Sequence, residues 1–141
     1  MPLDHVNGIN IAVRDLPRWT RRYEQVLGVD STPVDADGFA FPGMEGSSFD
    51  LGGFFLNLIT SADPTTSVGR FLERNGDGFF LLSLGVDDVD AAGRRLTDQG
   101  LKPLLETAKE GPGHPPVNFL HPKEMAGIQI ELIQVERQPA G

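Results

Sequence analysis

INIAVRDLPRWTRRYEQVLG, residues Ile9–Gly28, and LSLGVDDVDAAGRRLTDQG, residues Leu82–Gly100, follow one plan. In each stretch, alternating apolar residues end at a valine, an aspartate comes two residues later, and apolar residues at helical spacing run to a closing glycine. Asp15 and Asp88 suit helix N-caps, and the closing glycines suit the left-handed position after a helix. The repeat predicts two copies of a strand-helix-three-strand (βαβββ) module.

Further strands are predicted from short apolar runs separated by glycine and proline. These runs are Phe39–Phe41 and Phe54–Thr60 in the first module, then Lys102–Leu105, Val117–Leu120 and Ile128–Gln134 in the second. The segment KEGPGHPP, Lys109–Pro116, is typical of a turn. A single domain over residues 1–141 follows, with module one at about 6–61, a connecting helix at about 67–76 and module two at about 78–136.

The strands predict an α+β fold around a shared cavity, because successive residues of a strand point to opposite faces. One face packs under the helices, and this face includes Phe80. The other face is apolar with a few polar groups, which is the usual description of a small-molecule site. The predicted substrate-binding residues on that face are Asn10, Phe55, Asn57, Phe79, Leu81, Ser83 and Gln129.

Composition restricts the possible partners. The formal net charge of −8 argues against nucleic acid, whose binding depends on phosphate neutralisation by lysine and arginine. No segment approaches the roughly 20 apolar residues of a membrane span. The start MPLDHVNG has no basic and apolar leader, so we expect a cytoplasmic protein, and the absence of cysteine excludes thiolate ligands and nucleophiles.

The pattern resembles the vicinal oxygen chelate superfamily, which includes glyoxalases, extradiol dioxygenases, bleomycin resistance proteins and methylmalonyl-CoA epimerases. SVGRFLERNGDG, VDDVDAAGRRL and VNFLHPKEMAGIQIELIQ look most like the epimerase branch. The resemblance covers nearly the whole chain. It implies that the two βαβββ modules form a cupped mixed sheet around a central cavity, with helices on the outer face. Dimers are frequent in this superfamily, so a homodimer is possible.

The resemblance also implies a divalent metal inside the cup, typically held by two histidines and by glutamate or glutamine. Carried over to this sequence, the four ligand positions are Gly8, Asn57, Leu81 and Glu131. Glycine and leucine offer no side-chain donor, and a catalytic divalent site normally needs about three protein ligands. We therefore expect no metal cofactor. His5 replaces the missing ligand only if two residues bulge out before the first strand.

Glu131 is the expected catalytic residue, because a carboxyl group among apolar side chains should have a raised pKa suited to proton transfer. The alternative is a relic of the metal site, held by Asn57 or Gln129. The amides of these two residues could position a substrate carbonyl or stabilise an enolate. His121 and His114 are expected in structural or exposed positions.

Three functions remain open at this point. The first is a metal-independent isomerase, epimerase or cyclase that acts on a carbonyl compound. The second is a non-catalytic protein that sequesters an apolar or aromatic small molecule. The third is a metal-dependent methylmalonyl-CoA epimerase, for which the basic residues available to phosphates are Arg70, Arg74, Lys109 and Lys123.

Overall fold

The helix-capping signals of the sequence set the ends of two helices in the computed structural model, which describes residues 3–136. Asp15 accepts a hydrogen bond from the Arg18 amide at 3.2 Å and begins the first helix. Gly28 ends that helix with φ 71°, in the left-handed region. Asp88 accepts from the Ala91 amide at 3.0 Å and begins the equivalent helix of the second module. The predicted caps are confirmed.

Within residues 3–136, eight strands and three α-helices follow the predicted order, together with two short 3₁₀ turns at Ala36–Gly38 and Pro122–Glu124. The first module and its connection comprise β1 (His5–Ala12), α1 (Leu16–Leu27), β2 (Thr32–Val34), β3 (Glu45–Asp50), β4 (Phe55–Thr60) and α2 (Ser67–Asn75). The second comprises β5 (Gly78–Val86), α3 (Val89–Asp98), β6 (Lys109–Gly111), β7 (His114–Leu120) and β8 (Gln129–Gln134).

The strands form one mixed sheet in the order β2-β3-β4-β1-β5-β8-β7-β6. Within each module the first strand pairs in parallel with the last, β1 with β4 and β5 with β8. The two modules meet where β1 and β5 pair antiparallel at the centre of the sheet. The predicted α+β fold of two βαβββ modules is confirmed.

The helices cover the sheet in two ways. Trp19 and Tyr23 of α1 pack on the outer face against Phe49 and Leu58, and α3 packs Val89 and Ala92 against β7 and β8. The connecting helix α2 instead buries its apolar side, including Val68 and Leu72, against Ala12 and Ile59. It thereby closes one end of the concave side. No helix within residues 3–136 is long and apolar enough to cross a membrane.

The predictions of two strands of the sheet are wrong. Phe39–Phe41 is a bend, whereas β2 and β3 lie on either side of it. The sequence EGSSFD of β3 has low intrinsic strand propensity, but pairing with β2 on one side and β4 on the other fixes it in the sheet.

The second error lies between α3 and β7. Lys102–Leu105 is irregular, and the predicted turn at Lys109–Pro116 instead contains β6 and the start of β7. The side chain of Asn118 takes the place of strand pairing beside Leu105: its Oδ1 accepts from the Leu105 amide at 3.0 Å and its Nδ2 donates to the Leu105 carbonyl at 2.9 Å.

Candidate functional site

The concave side of the sheet encloses a cavity of about 460 Å³ that both modules line. Val68 of α2 lies at its closed end, and Phe39 and Phe41 come from the segment between β2 and β3. The turn between β6 and β7 lies across from this segment, because a Cβ added to Gly113 would stand 2.4 Å from the Asp37 carbonyl oxygen. The cavity is therefore bounded by backbone contact between the two modules.

Six of the seven predicted substrate-binding residues line this cavity together with Glu131, and one does not. The residues that line it are Asn10, Phe55, Asn57, Leu81, Ser83, Gln129 and Glu131. Phe79 does not line it, because its side chain is 45% exposed and lies outside the cavity walls.

A β-bulge explains the position of Phe79. In the pairing of β1 with β5, Asn10 faces Leu81 and Ile11 faces Phe79, so Phe80 is the extra residue. The bulge breaks the two-residue alternation and Phe80 takes a place in the cavity wall, where its ring meets Phe71 edge-on at 5.3 Å. Phe80 was predicted to lie under the helices.

Among the described residues of the cavity wall, Glu131 is the one with a carboxyl group. It pairs with Ser83 across β5 and β8, and the Ser83 hydroxyl donates to its Oε1 at 2.7 Å. Burial raises the pKa of Glu131 above its ordinary value, and this outweighs the lowering by the Ser83 hydrogen bond and by the positive charge of His114. A carboxyl group with a raised pKa holds its proton more readily and is a stronger base once ionised, which suits proton transfer.

A second bulge brings in a residue that sequence reasoning missed. The β1–β5 register shifts between Val6 and Gly8, which leaves Asn7 unpaired and in the cavity wall. Its Nδ2 lies 3.4 Å from the Ser83 hydroxyl and donates to it. Asn7, Ser83 and Glu131 thus form a hydrogen-bonded chain. No signal in the alternating pattern of β1 points to Asn7, because that pattern places Gly8 on the cavity face.

Two further amides lie side by side in the cavity wall. Asn10 and Asn57 are partners in the parallel pairing of β1 with β4, and Asn57 Nδ2 donates to Asn10 Oδ1 at 2.9 Å. Each amide keeps a second polar group beyond this bond. The pair is a neutral polar patch in a mostly apolar wall, suited to a carbonyl oxygen.

The residues at the four ligand positions that the resemblance implies do not suit a divalent cation. A Cβ added to Gly8 would lie 2.0 Å from the Phe55 carbonyl oxygen, so this position cannot carry a ligand side chain without a backbone shift. Leu81 is hydrocarbon and 2% exposed, which leaves the Asn57 amide and the Glu131 carboxyl. The described part of the chain has no group of three or more histidine, aspartate or glutamate side chains placed to hold a metal ion.

The three histidines occupy different environments. His5 bonds to Asp4 Oδ1 at 2.8 Å and is not part of the cavity wall. His121 Nδ1 accepts from the Lys123 amide at 3.0 Å and caps a 3₁₀ turn. His114 lines the cavity, and its Nδ1 donates to the Pro115 carbonyl at 2.8 Å. His114 was expected to be exposed, so its place in the wall is new information from the structure.

Of the four basic residues considered for phosphates, Lys109 has a clear relation to the cavity. Its Nζ lies 4.4 Å from the ring centroid of Phe41, whose ring in turn lies 5.8 Å from that of Phe119. Arg70 donates to the Thr65 carbonyl at 2.7 Å instead. None of the four basic residues is part of the cavity wall.

Comparison with known proteins identifies the family. Residues 7–119 match the glyoxalase/bleomycin resistance protein/dioxygenase superfamily. The chain is 29% identical over 136 residues to human mitochondrial methylmalonyl-CoA epimerase, covering 94% of this chain and 74% of that protein.

Solved structures agree. The crystal structure of methylmalonyl-CoA epimerase from Mycobacterium tuberculosis superposes with a TM-score of 0.80 at 30% identity, over 97% of this chain and 90% of that one. A variant of the Streptomyces coelicolor epimerase in complex with 2-nitronate-propionyl-CoA gives a TM-score of 0.81 at 26% identity, over 98% and 100%. This chain therefore belongs to the glyoxalase/bleomycin resistance protein/dioxygenase superfamily and is homologous to its methylmalonyl-CoA epimerases.

Proposed function

We propose that this protein is an acid–base isomerase of the epimerase type, which moves a proton on the carbon beside a carbonyl group. Glu131 is the proton-transfer residue. One observation carries the proposal: a carboxyl group with a raised pKa lines the concave cavity and is held there by Ser83. Small-molecule binding in this cavity agrees with the acyl-CoA analogue present in the Streptomyces coelicolor relative.

The proposed step is balanced within the substrate and one side chain. The Glu131 carboxylate takes the proton, and the C–H electron pair moves toward the carbonyl oxygen to form an enolate. Amide donors of Asn10, Asn57 and Gln129 stabilise the developing negative charge. The enolate then turns its other face toward Glu131, and the protonated carboxyl group returns the proton there, which inverts the carbon and regenerates the carboxylate. Ser83 orients the carboxyl group and keeps one of its oxygens hydrogen-bonded throughout.

A second candidate is a metal-dependent methylmalonyl-CoA epimerase, which is favoured by the names of the relatives. The donor set disfavours it, because Gly8 and Leu81 stand at two of the four ligand positions. The proposal therefore keeps the proton-transfer chemistry of an epimerase and assigns no step to a cation.

Deuterium exchange at the α-carbon of acyl-CoA thioesters tests the proposal. The protein is incubated in D₂O with and without a chelator, and exchange is followed by mass spectrometry. We expect chelator-insensitive exchange that falls by at least about 100-fold in Glu131→Gln, since general acid–base catalysis typically contributes 10² to 10⁴. The matched control is Glu73→Gln on the exposed side of α2, which should leave exchange unchanged.

The outcomes separate the three functions. Exchange that a chelator abolishes and a divalent cation restores would replace the proposal with the metal-dependent epimerase. Tight binding of a thioester or of a co-purified aromatic compound without any exchange would favour sequestration. Full exchange in the Glu131→Gln variant would show that another group moves the proton.

A further inference from the structure

The cavity wall has very few side chains that can carry a charge. Among the described residues that line it, Glu131 is the single carboxyl group and His114 the single side chain able to carry a positive charge. No lysine or arginine of residues 3–136 lines the wall. The rest of the wall consists of hydrocarbon, aromatic rings, hydroxyl groups and amides. The number of positively charged groups in the wall therefore does not exceed the number of carboxylates.

His114 does not supply the missing counter-charge. Its Nδ1–H is already bonded to the Pro115 carbonyl. His114 and Glu131 line the same cavity, so a positive charge on the His114 ring is already set against the Glu131 carboxylate before a ligand enters. One histidine against one carboxylate leaves a site with no net positive charge.

A substrate carboxylate in this cavity would be the second of two. Two like charges in an apolar enclosure disfavour each other's ionisation, and an unpaired buried carboxylate is strongly destabilised. The amides of Asn10, Asn57 and Gln129 can donate to a neutral carbonyl oxygen, but they cannot neutralise an anion. The cavity wall thus favours neutral substrates over anionic ones.

We infer that the part of the substrate that enters the cavity is an uncharged carbonyl compound with apolar or aromatic substituents, and that 2-carboxyacyl groups are excluded. The part of this inference that concerns the reaction rests on the proposed function, whereas the part that concerns binding does not. Five phenylalanines line the cavity, which suits an apolar or flat group: Phe39, Phe41, Phe55, Phe80 and Phe119. Anionic parts of a thioester carrier would stay outside, on the side of Phe41 where Lys109 lies.

The test compares two CoA thioesters of nearly equal shape. In 2-methylbutanoyl-CoA an ethyl group stands where methylmalonyl-CoA has a carboxylate, so the pair differs mainly in charge. Dissociation constants by titration calorimetry and α-proton exchange are measured for both with the full chain. We expect the neutral thioester to bind at least tenfold more tightly and to exchange faster.

The results distinguish this inference from the proposed function. Binding of the neutral thioester without exchange would remove the proposed function and leave the inference standing. Glu131-dependent exchange of methylmalonyl-CoA, with affinity equal to or above that of the neutral thioester, would overturn the inference and keep the proposed function. Failure of both thioesters to bind would also overturn it, because it requires the neutral one to enter.

A variant that adds a positive charge to the cavity wall tests whether charge causes the selectivity. Gln129→Arg places a cation at the start of β8, and Gln129→Met changes the same side chain without charge. Relative to the Met variant, the Arg variant should shift preference toward methylmalonyl-CoA by at least tenfold. Equal preference in the two folded variants would show that charge does not decide selectivity, and would overturn the inference.

Discussion

Glu131 is surrounded by protein yet opens onto the cavity, and this position ties its ionisation to stability. In the unfolded chain its carboxyl group titrates near the ordinary pKa of 4.5, whereas burial raises the pKa in the folded protein. Between these two pKa values the folded state binds more protons than the unfolded state. The contribution of Glu131 to the free energy of unfolding therefore falls as pH rises through this interval.

Replacing Glu131 with glutamine removes this titration while keeping an oxygen that can accept from Ser83. We expect the free energy of unfolding of Glu131→Gln, minus that of the unaltered protein, to increase from pH 4 to pH 8 in urea titrations. Glu73→Gln, which removes an exposed carboxyl group of α2, is the control for the loss of one negative charge. A difference for Glu131→Gln that is constant or decreases with pH would contradict the raised pKa.

Gly8 is fixed by the backbone of the neighbouring strand. A Cβ at this position would lie 2.0 Å from the Phe55 carbonyl oxygen, and a backbone atom cannot move aside as a flexible side chain can. We expect Gly8→Ala to lower the free energy of unfolding by about 1 to 3 kcal/mol, as overpacking does. Gly78→Ala is the matched control in β5, where the added Cβ would be in ordinary contact with Phe71 at 3.9 Å. Equal unfolding midpoints for the two variants would show that β1 and β4 are less tightly fixed than described.

At the scale of secondary-structure elements, the Asn118 side chain makes the two backbone hydrogen bonds to Leu105 that a neighbouring strand would otherwise make. Its side chain is 2% exposed and bonds both backbone groups of Leu105, which holds the segment after α3 against β7. Asn118→Leu keeps the approximate size but leaves buried groups without partners, so we expect a loss of about 1 to 3 kcal/mol in chemical denaturation. Asn75→Leu removes an exposed bond to the Phe71 carbonyl and should change stability by less than about 0.5 kcal/mol. A loss for Asn118→Leu as small as for Asn75→Leu would show that the segment after α3 is held by other contacts.

The elements also show how far the sequence predicts this molecule. Helix caps at Asp15 and Asp88 are local signals and are read correctly, as is the repeat that implies the mixed sheet. Bulges are different, because the alternation of faces on one side of the extra residue no longer continues on the other side. This is why Asn7 lies in the cavity wall and Phe79 does not. The alternation of β5 and β8 beyond the bulge correctly brought Ser83 and Glu131 together.

For the whole molecule, the cavity depends on contact between the modules at a point far from the central β1–β5 pairing. The turn carrying Gly113 belongs to the second module, and the 3₁₀ turn carrying Asp37 belongs to the first. Their backbones approach so closely that any side chain on Gly113 would strike the Asp37 carbonyl, at 2.4 Å from an added Cβ. This contact closes the cup without adding to the apolar core.

Gly113→Ala should therefore open the cavity while sparing the fold. Gly113 is exposed, so we expect the free energy of unfolding to change by less than about 1 kcal/mol. Backbone amide exchange should accelerate in two segments at once, residues 36–44 and 111–116, because each loses its contact with the other. Hydrogen–deuterium exchange mass spectrometry reads both, and Glu110→Ala, an exposed change in β6, is the control. Acceleration confined to the 111–116 segment would mean that the first module holds its side of the cavity alone, and that the two modules do not close it together.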